Sequence, residues 1–285
     1  MKTLTEEGIT QEALARLASC PNPRLQEIVT SLTRHLHDFA REVSLTPGEW
    51  DAGIQFLTEV GHITDDKRQE FILLSDTLGL SAMVDLIANR KSHDRDATES
   101  SLLGPFFRKG APTFPNDADI SCGAAGERLL VSGRVLNQGG KPIARATIDT
   151  WQASAYGKYD LQQLRGDEMK LRGRFLTDED GRFQFRSVRP SSYPVPADGP
   201  VGRMLRALAR HPYRPAHVHF MVAAPGYQTL TTALYLAGDR YLDSDAVFGA
   251  KKSLVVSVEP ASSSGAAAGA IDFRFVLSRV KQVPE

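Results

Sequence analysis

The sequence predicts a mainly β protein, with an antiparallel β-sandwich domain after an N-terminal α-helical domain. Apolar residues recur at three- and four-residue intervals over residues 10–89, as they do along the buried face of a helix. The second half of the chain contains short alternating runs separated by turns rich in glycine and proline, which is typical of strands. Between the two parts, residues 91–126 are rich in charge, glycine and proline and are expected to form a linker.

Helical spacing is clearest in two segments of the first part, formed by Leu25, Ile28, Val29, Leu32, Leu36 and Phe39 and by Phe71, Leu74 and Leu78. Pro47 stands where the first turn of a helix tolerates proline, with Thr46 available as its N-cap. One further helix is expected over residues 201–210, inside the β part.

The predicted strands cover residues 129–136, 146–151, 182–185, 213–220, 254–258 and 271–276. Turns at residues 137–142 and 178–181 separate some of them, and residues 261–270 form a low-complexity loop. This rhythm is typical of an antiparallel sandwich. We place the domain boundary between residues 1–97, the helical domain with its linker, and residues 98–285.

Composition excludes several classes of protein. Lys plus Arg and Asp plus Glu both count 34 in 285 residues, so the formal net charge is zero and no overall field favours nucleic acid or an anionic membrane. The N-terminus is acidic where a signal peptide would be basic, and no apolar run approaches the roughly 20 residues of a membrane span. We therefore expect a cytoplasmic protein without a membrane span.

Two histidines are the first candidate ligands. His217 and His219 are one residue apart in a strand-like run, so both side chains leave the same face toward one point. Neutral imidazole is a common ligand for iron, copper and zinc. With only Cys20 and Cys122 in the chain, a thiolate cluster is excluded, and other ligands must supply oxygen. The pair alone also fits two ordinary histidines on a polar face.

Tyrosines are the candidate oxygen donors, because no carboxylate is near the histidines in sequence. The β part contains Tyr156, Tyr159, Tyr193, Tyr213, Tyr227, Tyr235 and Tyr241. A phenol ionises near pH ~10, so binding at neutral pH needs a strongly acidic cation such as Fe(III). Tyr159 follows a strand in a glycine-bearing loop, and Tyr193 lies in a segment that prolines hold extended. Each could equally be a half-buried aromatic.

Six segments together carry a resemblance to a known family: residues 99–106, 133–143, 151–159, 193–200, 214–219 and 241–249. In this order they resemble the intradiol ring-cleavage dioxygenases, the non-haem Fe(III) enzymes of the catechol and hydroxyquinol 1,2-dioxygenase group. The hydroxyquinol branch is the most similar. The resemblance implies a catalytic β-sandwich domain and a helical dimerisation domain, hence a homodimer, with a possible phospholipid at its interface.

The resemblance implies one Fe(III) per subunit and no organic cofactor, with Tyr159, Tyr193, His217 and His219 as ligands. Tyr156 is the rival of Tyr159. The family's tyrosine stands two residues after a glycine, so Gly157 favours Tyr159. Tyr193 is implied to leave the metal when substrate binds and to take a substrate proton.

Arg214 matches the arginine that stabilises developing negative charge on the ring, although it could instead be an ordinary ion-pairing residue. One departure is Ala233, which stands where catechol-cleaving relatives often carry a glutamine that assists the arginine. An alanine side chain has no hydrogen to donate.

The implied reaction inserts both atoms of O2 into a catecholic ring. Hydroxyquinol (benzene-1,2,4-triol), giving maleylacetate or 3-hydroxy-cis,cis-muconate, is favoured over catechol or chlorocatechol, which would give cis,cis-muconates. Asp76 bears on this choice: on a single helix it would share a stripe with Leu73, Leu80, Val84 and Ile87 and could bind a substrate hydroxyl. Alternatively, Ser75 or Asp76 caps a helix beginning at Thr77.

The expected substrate pocket also includes Leu73, Leu102, Leu103, Gly104, Pro105, Phe106, Val247 and Phe248, each of which could simply belong to the core. Two other classes remain open. A non-catalytic transthyretin-like β-sandwich would share the segment 131–146 but has no need of the two tyrosines and two histidines. A zinc hydrolase would use the histidine pair but lacks a usual third ligand and a general base.

Overall fold

A computed structural model describes residues 5–65, 68–89, 96–163, 168–261 and 268–280. The chain divides into two compact units, residues 1–59 and 60–285. The first unit is helical, and the second contains all the strands of the described residues. The predicted boundary near residue 97 lies where helices give way to strands, and as a domain boundary it stays a prediction.

The predicted helices are confirmed. In the described residues they are α1 (Glu6–Arg16), α2 (Pro23–Glu42), α3 (Pro47–His62), α4 (Glu70–Thr77), α5 (Leu80–Asn89) and α7 (Pro200–Ala207), and the structure adds a short helix that was not predicted, α6 (Asp160–Gln163). At the start of α3, the Thr46 backbone N–H donates to Glu49 Oε2 at 2.9 Å and the Glu49 N–H donates to Thr46 Oγ1 at 3.3 Å. This reciprocal capping box confirms Thr46 as the N-cap of the helix that begins at Pro47.

The stripe proposed for Asp76 is wrong, because the segment is not one helix. Helices α4 and α5 are bent by 74° at a short break, where Gly79 has φ +77°, a conformation that costs glycine little. Leu73 is buried, whereas the three later members of the stripe are more than half exposed: Leu80, Val84 and Ile87.

The capping alternative is also wrong. Thr77 is the last residue of α4, so neither Ser75 nor Asp76 caps a helix that begins there. Asp76 instead lies in the last turn of α4 with only 6% of its surface exposed. A carboxyl group buried to this extent needs a polar partner.

The strands confirm the predicted sandwich. They are β1 (Arg128–Asn137), β2 (Thr147–Gln152), β3 (Arg172–Leu176), β4 (Arg182–Val188), β5 (Tyr193–Pro194), β6 (Tyr213–Arg214), β7 (His217–Ala223), β8 (Leu230–Leu236), β9 (Val255–Val256), β10 (Glu259–Pro260) and β11 (Gly269–Leu277). One sheet has the order β10-β11-β1-β4, the other β3-β2-β7-β8-β9, and β5 pairs with β6 in a separate ribbon. Most pairs are antiparallel, as predicted.

Two features of the sheets differ from the predicted pattern. The β1–β11 and β8–β9 pairs are parallel, and strand direction depends on contacts between distant segments that local alternation does not encode. The run predicted as one strand over residues 213–220 is divided into β6 and β7 at Pro215, whose ring removes a backbone donor. Residues 262–267 of the predicted low-complexity loop lie outside the described residues.

Strand β7 places the histidines on the outer face of the second sheet. Val218, Phe220 and Val222 point into the core between the two sheets, so their neighbours His217 and His219 point away from it. The sandwich core and the candidate site therefore use opposite faces of the same strand.

No single helix among the described residues is long and apolar enough to cross a membrane. Only α4 and α5 taken together are long and apolar enough, and they are bent by 74°.

Candidate metal centre and substrate cavity

The two histidines converge as predicted. Their Nε2 atoms are 3.0 Å apart, and each residue is 1% exposed. His217 Nδ1 lies 2.7 Å from the Pro215 carbonyl oxygen, to which it donates, so the lone pair of His217 resides on Nε2. The His219 ring stacks on Trp151 with 4.8 Å between centroids and 5° between planes. Backbone and aromatic contacts thus orient both imidazoles.

Two tyrosines, one in the loop between β2 and α6 and the other in strand β5, approach the histidines. The Tyr159 hydroxyl lies 3.4 Å from His217 Nε2, and Tyr159 is fully buried. The Tyr193 ring centroid is 5.3 Å from that of Tyr159 and 5.6 Å from that of His217. Tyr156 is 75% exposed, so the structure brings Tyr159, and not its rival, to the histidines.

Gly157 allows the segments that carry the two tyrosines to approach each other. It has φ +70°, and a Cβ at this position would lie 2.9 Å from Tyr193 Cβ. Phe106 closes the other side, because its ring stacks on Tyr159 at 4.3 Å between centroids. The loop before β3, the ribbon β5–β6 and residues 101–107 therefore enclose the donor atoms.

The electrostatics of the cluster suit a strongly acidic cation. Burial lowers the pKa of His217 to about 3, and burial also holds the pKa of His219 well below its usual value, so both imidazoles are neutral donors. Burial and the neighbouring Tyr193 raise the pKa of Tyr159 well above 10. This phenol can ionise at neutral pH only beside a concentrated positive charge.

The donor set fits a hard trivalent metal. In the part of the chain that the structure describes, no three His, Cys, Asp or Glu side chains surround one point, so the imidazoles are accompanied by phenols. Zinc sites usually take cysteine, histidine or carboxylate ligands, whereas anionic oxygen donors favour harder ions. The residues present therefore fit Fe(III) through His217, His219, Tyr159 and Tyr193.

Arg214 borders this cluster and is 2% exposed. Its Nη1 lies 3.4 Å from His217 Nε2, while Nε and Nη2 donate to the two oxygens of Asp245 at 3.1 and 3.2 Å. Burial disfavours the charge of Arg214, but Asp245 and the neighbouring phenols keep its pKa above the ordinary value. The site therefore contains the permanent positive charge of Arg214, whose guanidinium group is held in one orientation.

Sequence reasoning missed Asp245, which holds the arginine. Besides the two guanidinium donors, its carboxylate accepts from the backbone N–H groups of Val247, Gly249 and Ala250 at 3.0–3.3 Å. Burial raises the pKa of Asp245, yet Arg214, His217 and the Val247 N–H outweigh burial and keep it below the usual value. The signal available in the sequence was its place in the family-like segment 241–249.

Tyr235 and Ser101 were also missed. Arg214 Nη2 donates to the Tyr235 hydroxyl at 3.2 Å, and that hydroxyl lies 2.9 Å from Ser101 Oγ. Burial raises the pKa of Tyr235 to about 12, so it stays protonated at neutral pH. Ala233 is buried opposite His219 in the sheet register, and Tyr235 is opposite His217.

A small cavity lies beside the cluster. Seven of the predicted pocket residues line it: Leu73, Asp76, Leu102, Gly104, Pro105, Phe106 and Val247. Tyr193, Val195, Pro196 and Arg214 complete the lining. Leu103 and Phe248 are 41% and 52% exposed and lie outside this lining, so their part in substrate binding stays a prediction.

Asp76 is the one carboxyl group in the cavity wall. Burial raises its pKa, while the Ser81 hydroxyl and the charge of Arg214 act in the opposite direction. Apart from Asp76, Tyr193 and Arg214, the side chains that line the cavity are apolar. A ligand with a hydroxyl group near α4 would find the Asp76 carboxyl group as an acceptor there.

Two family models match the chain. The one described as "Dioxygenase" covers residues 102–279, and the one described as "Catechol dioxygenase N terminus" covers residues 22–96. The first alone spans more than half of the chain. The chain belongs to the intradiol ring-cleavage dioxygenases. This family uses non-haem iron, and its members are enzymes, so the transthyretin-like module and the zinc hydrolase are set aside.

Individual relatives align with nearly the whole length of this dioxygenase. It is 51% identical over 255 residues to the 6-chlorohydroxyquinol 1,2-dioxygenase of Cupriavidus pinatubonensis, covering 90% of this chain and 92% of that protein. It is 47% identical to the hydroxyquinol 1,2-dioxygenase of a Rhizobium species, covering 96% of both. The crystal structure of hydroxyquinol 1,2-dioxygenase from Pseudomonas putida DLL-E4 matches with a TM-score of 0.90 at 45% identity, covering 96% and 99% of the two chains.

Proposed function

We propose that this dioxygenase cleaves hydroxyquinol with O2 at one Fe(III) per subunit, giving 3-hydroxy-cis,cis-muconate, the enol form of maleylacetate. The observation that carries the proposal is the meeting of two neutral imidazoles and two buried phenols at the wall of a cavity that contains Asp76. The relatives described above, named for hydroxyquinol or its chloro derivative, support the same substrate class.

Tyr159, Tyr193, His217 and His219 would hold the metal. When bound, Fe(III) would act as a Lewis acid that makes catecholic hydroxyls more acidic and draws electron density from the ring. Tyr193 lines the cavity and Tyr159 does not, so substrate reaches Tyr193 first. Tyr193 would therefore be the residue that takes a proton from a substrate hydroxyl.

Arg214 would stabilise negative charge on the bound ring. It lines the same cavity and directs Nη1 toward His217, while Asp245 fixes the rest of the guanidinium. A donor oriented before the reaction stabilises charge without reorganising during it. Asp76 would accept a hydrogen bond from the third hydroxyl of hydroxyquinol, a contact that catechol cannot make.

Oxygen uptake and visible absorption test the proposal. We expect hydroxyquinol to be the preferred substrate in a panel that includes catechol and chlorocatechols, and the purified iron protein to be red, because tyrosinate bound to Fe(III) absorbs visible light. Tyr193→Phe should weaken the visible band and abolish ring opening. Tyr156→Phe is the matched control, since Tyr156 is 75% exposed, and it should behave as the parent. A colourless protein that holds zinc and consumes no oxygen would refute the proposal.

We also propose a cytoplasmic homodimer formed through the N-terminal helices, with a phospholipid against them. Helix α2 has an apolar stripe about half exposed along its whole length: Leu25, Ile28, Leu32, Leu36 and Phe39. A stripe of this kind is usually covered. Leu32→Glu should produce monomers in light-scattering measurements, whereas Arg34→Glu, on the opposite side of α2, should leave the dimer intact. Lipid extraction of the purified dimer tests the phospholipid.

A further inference from the structure

Arg214 is held by a chain of hydroxyl groups whose direction can be worked out from hydrogen counting. Ser101 Oγ lies 2.9 Å from the Gly249 carbonyl oxygen, which can only accept, so Ser101 donates its single hydrogen there. The Ser101 oxygen must then accept from Tyr235, which lies 2.9 Å away. Tyr235 in turn has only lone pairs left for Arg214 Nη2, at 3.2 Å.

The same counting leaves one amino group of Arg214 for the site. A guanidinium has five N–H bonds. The Nε hydrogen goes to Asp245, and the two Nη2 hydrogens go to Asp245 and Tyr235. Within the described residues, Nη1 has His217 Nε2 as its only hydrogen-bonding neighbour, at 3.4 Å. When the lone pair of His217 is used by a metal, both Nη1 hydrogens are available to the cavity.

We infer that Tyr235 is a positioning residue that acts through Arg214, and that the polarity Arg214 to Tyr235 to Ser101 to Gly249 fixes which amino group faces the substrate. This inference rests on the proposed function of Arg214. Tyr235 does not itself donate to substrate, because its hydrogen is committed to Ser101. This chain of hydroxyl groups thereby leaves the two Nη1 hydrogens of Arg214 as donors to the cavity, and no second donor is needed from the side chain at position 233.

A double-mutant cycle tests this role. Tyr235→Phe removes the hydroxyl and keeps the ring, which packs 5.3 Å from His217 between centroids. We expect kcat for hydroxyquinol to fall about tenfold, the factor of one hydrogen bond of ordinary strength, with KM within about twofold. In an Arg214→Lys background, which lacks Nη2, the same substitution should change kcat by less than about twofold. Single-turnover absorbance extends the range if steady-state rates are low.

Further measurements separate positioning from a merely structural role. Iron content, the visible band of the resting enzyme and the anaerobic dissociation constant of hydroxyquinol should match the parent in Tyr235→Phe. Ser101→Ala should lower kcat in the same direction, because the Tyr235 hydrogen loses its acceptor. Tyr227→Phe is the control. The Tyr227 ring packs against the sandwich core, and its substitution should leave kcat unchanged.

Equal losses of kcat from Tyr235→Phe in both backgrounds would overturn the inference, as would a fall in iron content parallel to activity. Full activity of Ser101→Ala would overturn the polarity. Failure of the proposed function is distinguishable, because it would show in the parent protein as absence of oxygen uptake with every catechol.

Discussion

Replacing Asp245 by asparagine should disrupt both stability and catalysis, because this carboxylate has five hydrogen-bond donors around two oxygens. Oδ1 accepts from Arg214 Nε and the Val247 N–H, and Oδ2 accepts from Arg214 Nη2 and the N–H groups of Gly249 and Ala250. In Asp245→Asn, the amide NH2 must face either two or three of these donors. The buried charge of Arg214 also loses its partner.

The magnitude follows from these contacts. Removing one partner of a buried ion pair costs about 3–5 kcal/mol, which in a domain of 150–250 residues corresponds to a fall in Tm of roughly 6–20 °C. Misdirecting Arg214 should also lower kcat by about 10²-fold, the scale of losing one preorganised donor. Calorimetry and oxygen uptake with hydroxyquinol measure the two effects. Asp243→Asn, an exposed neighbour, is the control.

The pH dependence gives this prediction a second readout. The pKa of Asp245 is lower in the folded protein than its ordinary value, so its contribution to stability is present above pH ~4. That contribution is lost as pH falls through the folded pKa. The difference in unfolding free energy between parent and Asp245→Asn should therefore shrink in acid. If Asp245→Asn had the Tm and kcat of Asp243→Asn at neutral pH, the reasoning about Arg214 would be refuted.

Three further predictions concern the cavity and the metal. Asp76→Ala should lower the ratio of kcat/KM for hydroxyquinol over catechol by up to about tenfold, because it removes the acceptor of a hydrogen bond that contributes about 0.5–1.5 kcal/mol; an unchanged ratio in oxygen-uptake assays removes Asp76 from specificity. Gly157→Ala should lower Tm and shift the visible band, since its Cβ would lie 2.9 Å from Tyr193 Cβ, whereas Gly110→Ala, with open space around it, should leave the band in place. Chelation should remove colour and activity together, and iron but not zinc should restore both; activity that survives complete loss of iron contradicts the assignment.

The sequence predicted features that depend on local spacing. His217 and His219 converge because alternation along a strand is a property of neighbouring residues, and the Thr46 cap was recognisable because capping involves positions three residues apart. The break between α4 and α5 also had a local signal, Gly79, which the assumption of a single helix ignored. These features needed no knowledge of the tertiary fold.

Contacts between distant segments were not predictable in the same way. Asp245 is 31 residues from Arg214 in sequence, and Ser101 is 134 residues from Tyr235. Their pairing depends on the order of strands in the second sheet and on the path of residues 101–107 across it. The parallel direction of β1 and β11 likewise follows from how the two sheets close, which alternation alone does not determine.

Strand β7 has different neighbours on its two faces, and this separates two kinds of substitution by their effect. Substitutions at Val218 or Phe220 act on folding, because these side chains fill the core between the sheets. Substitutions in α4 or residues 102–106, which cover the outer face, act on what the cavity accepts. New ring substituents can thus be accommodated by changing the covering segments, without altering the sandwich that carries the histidines.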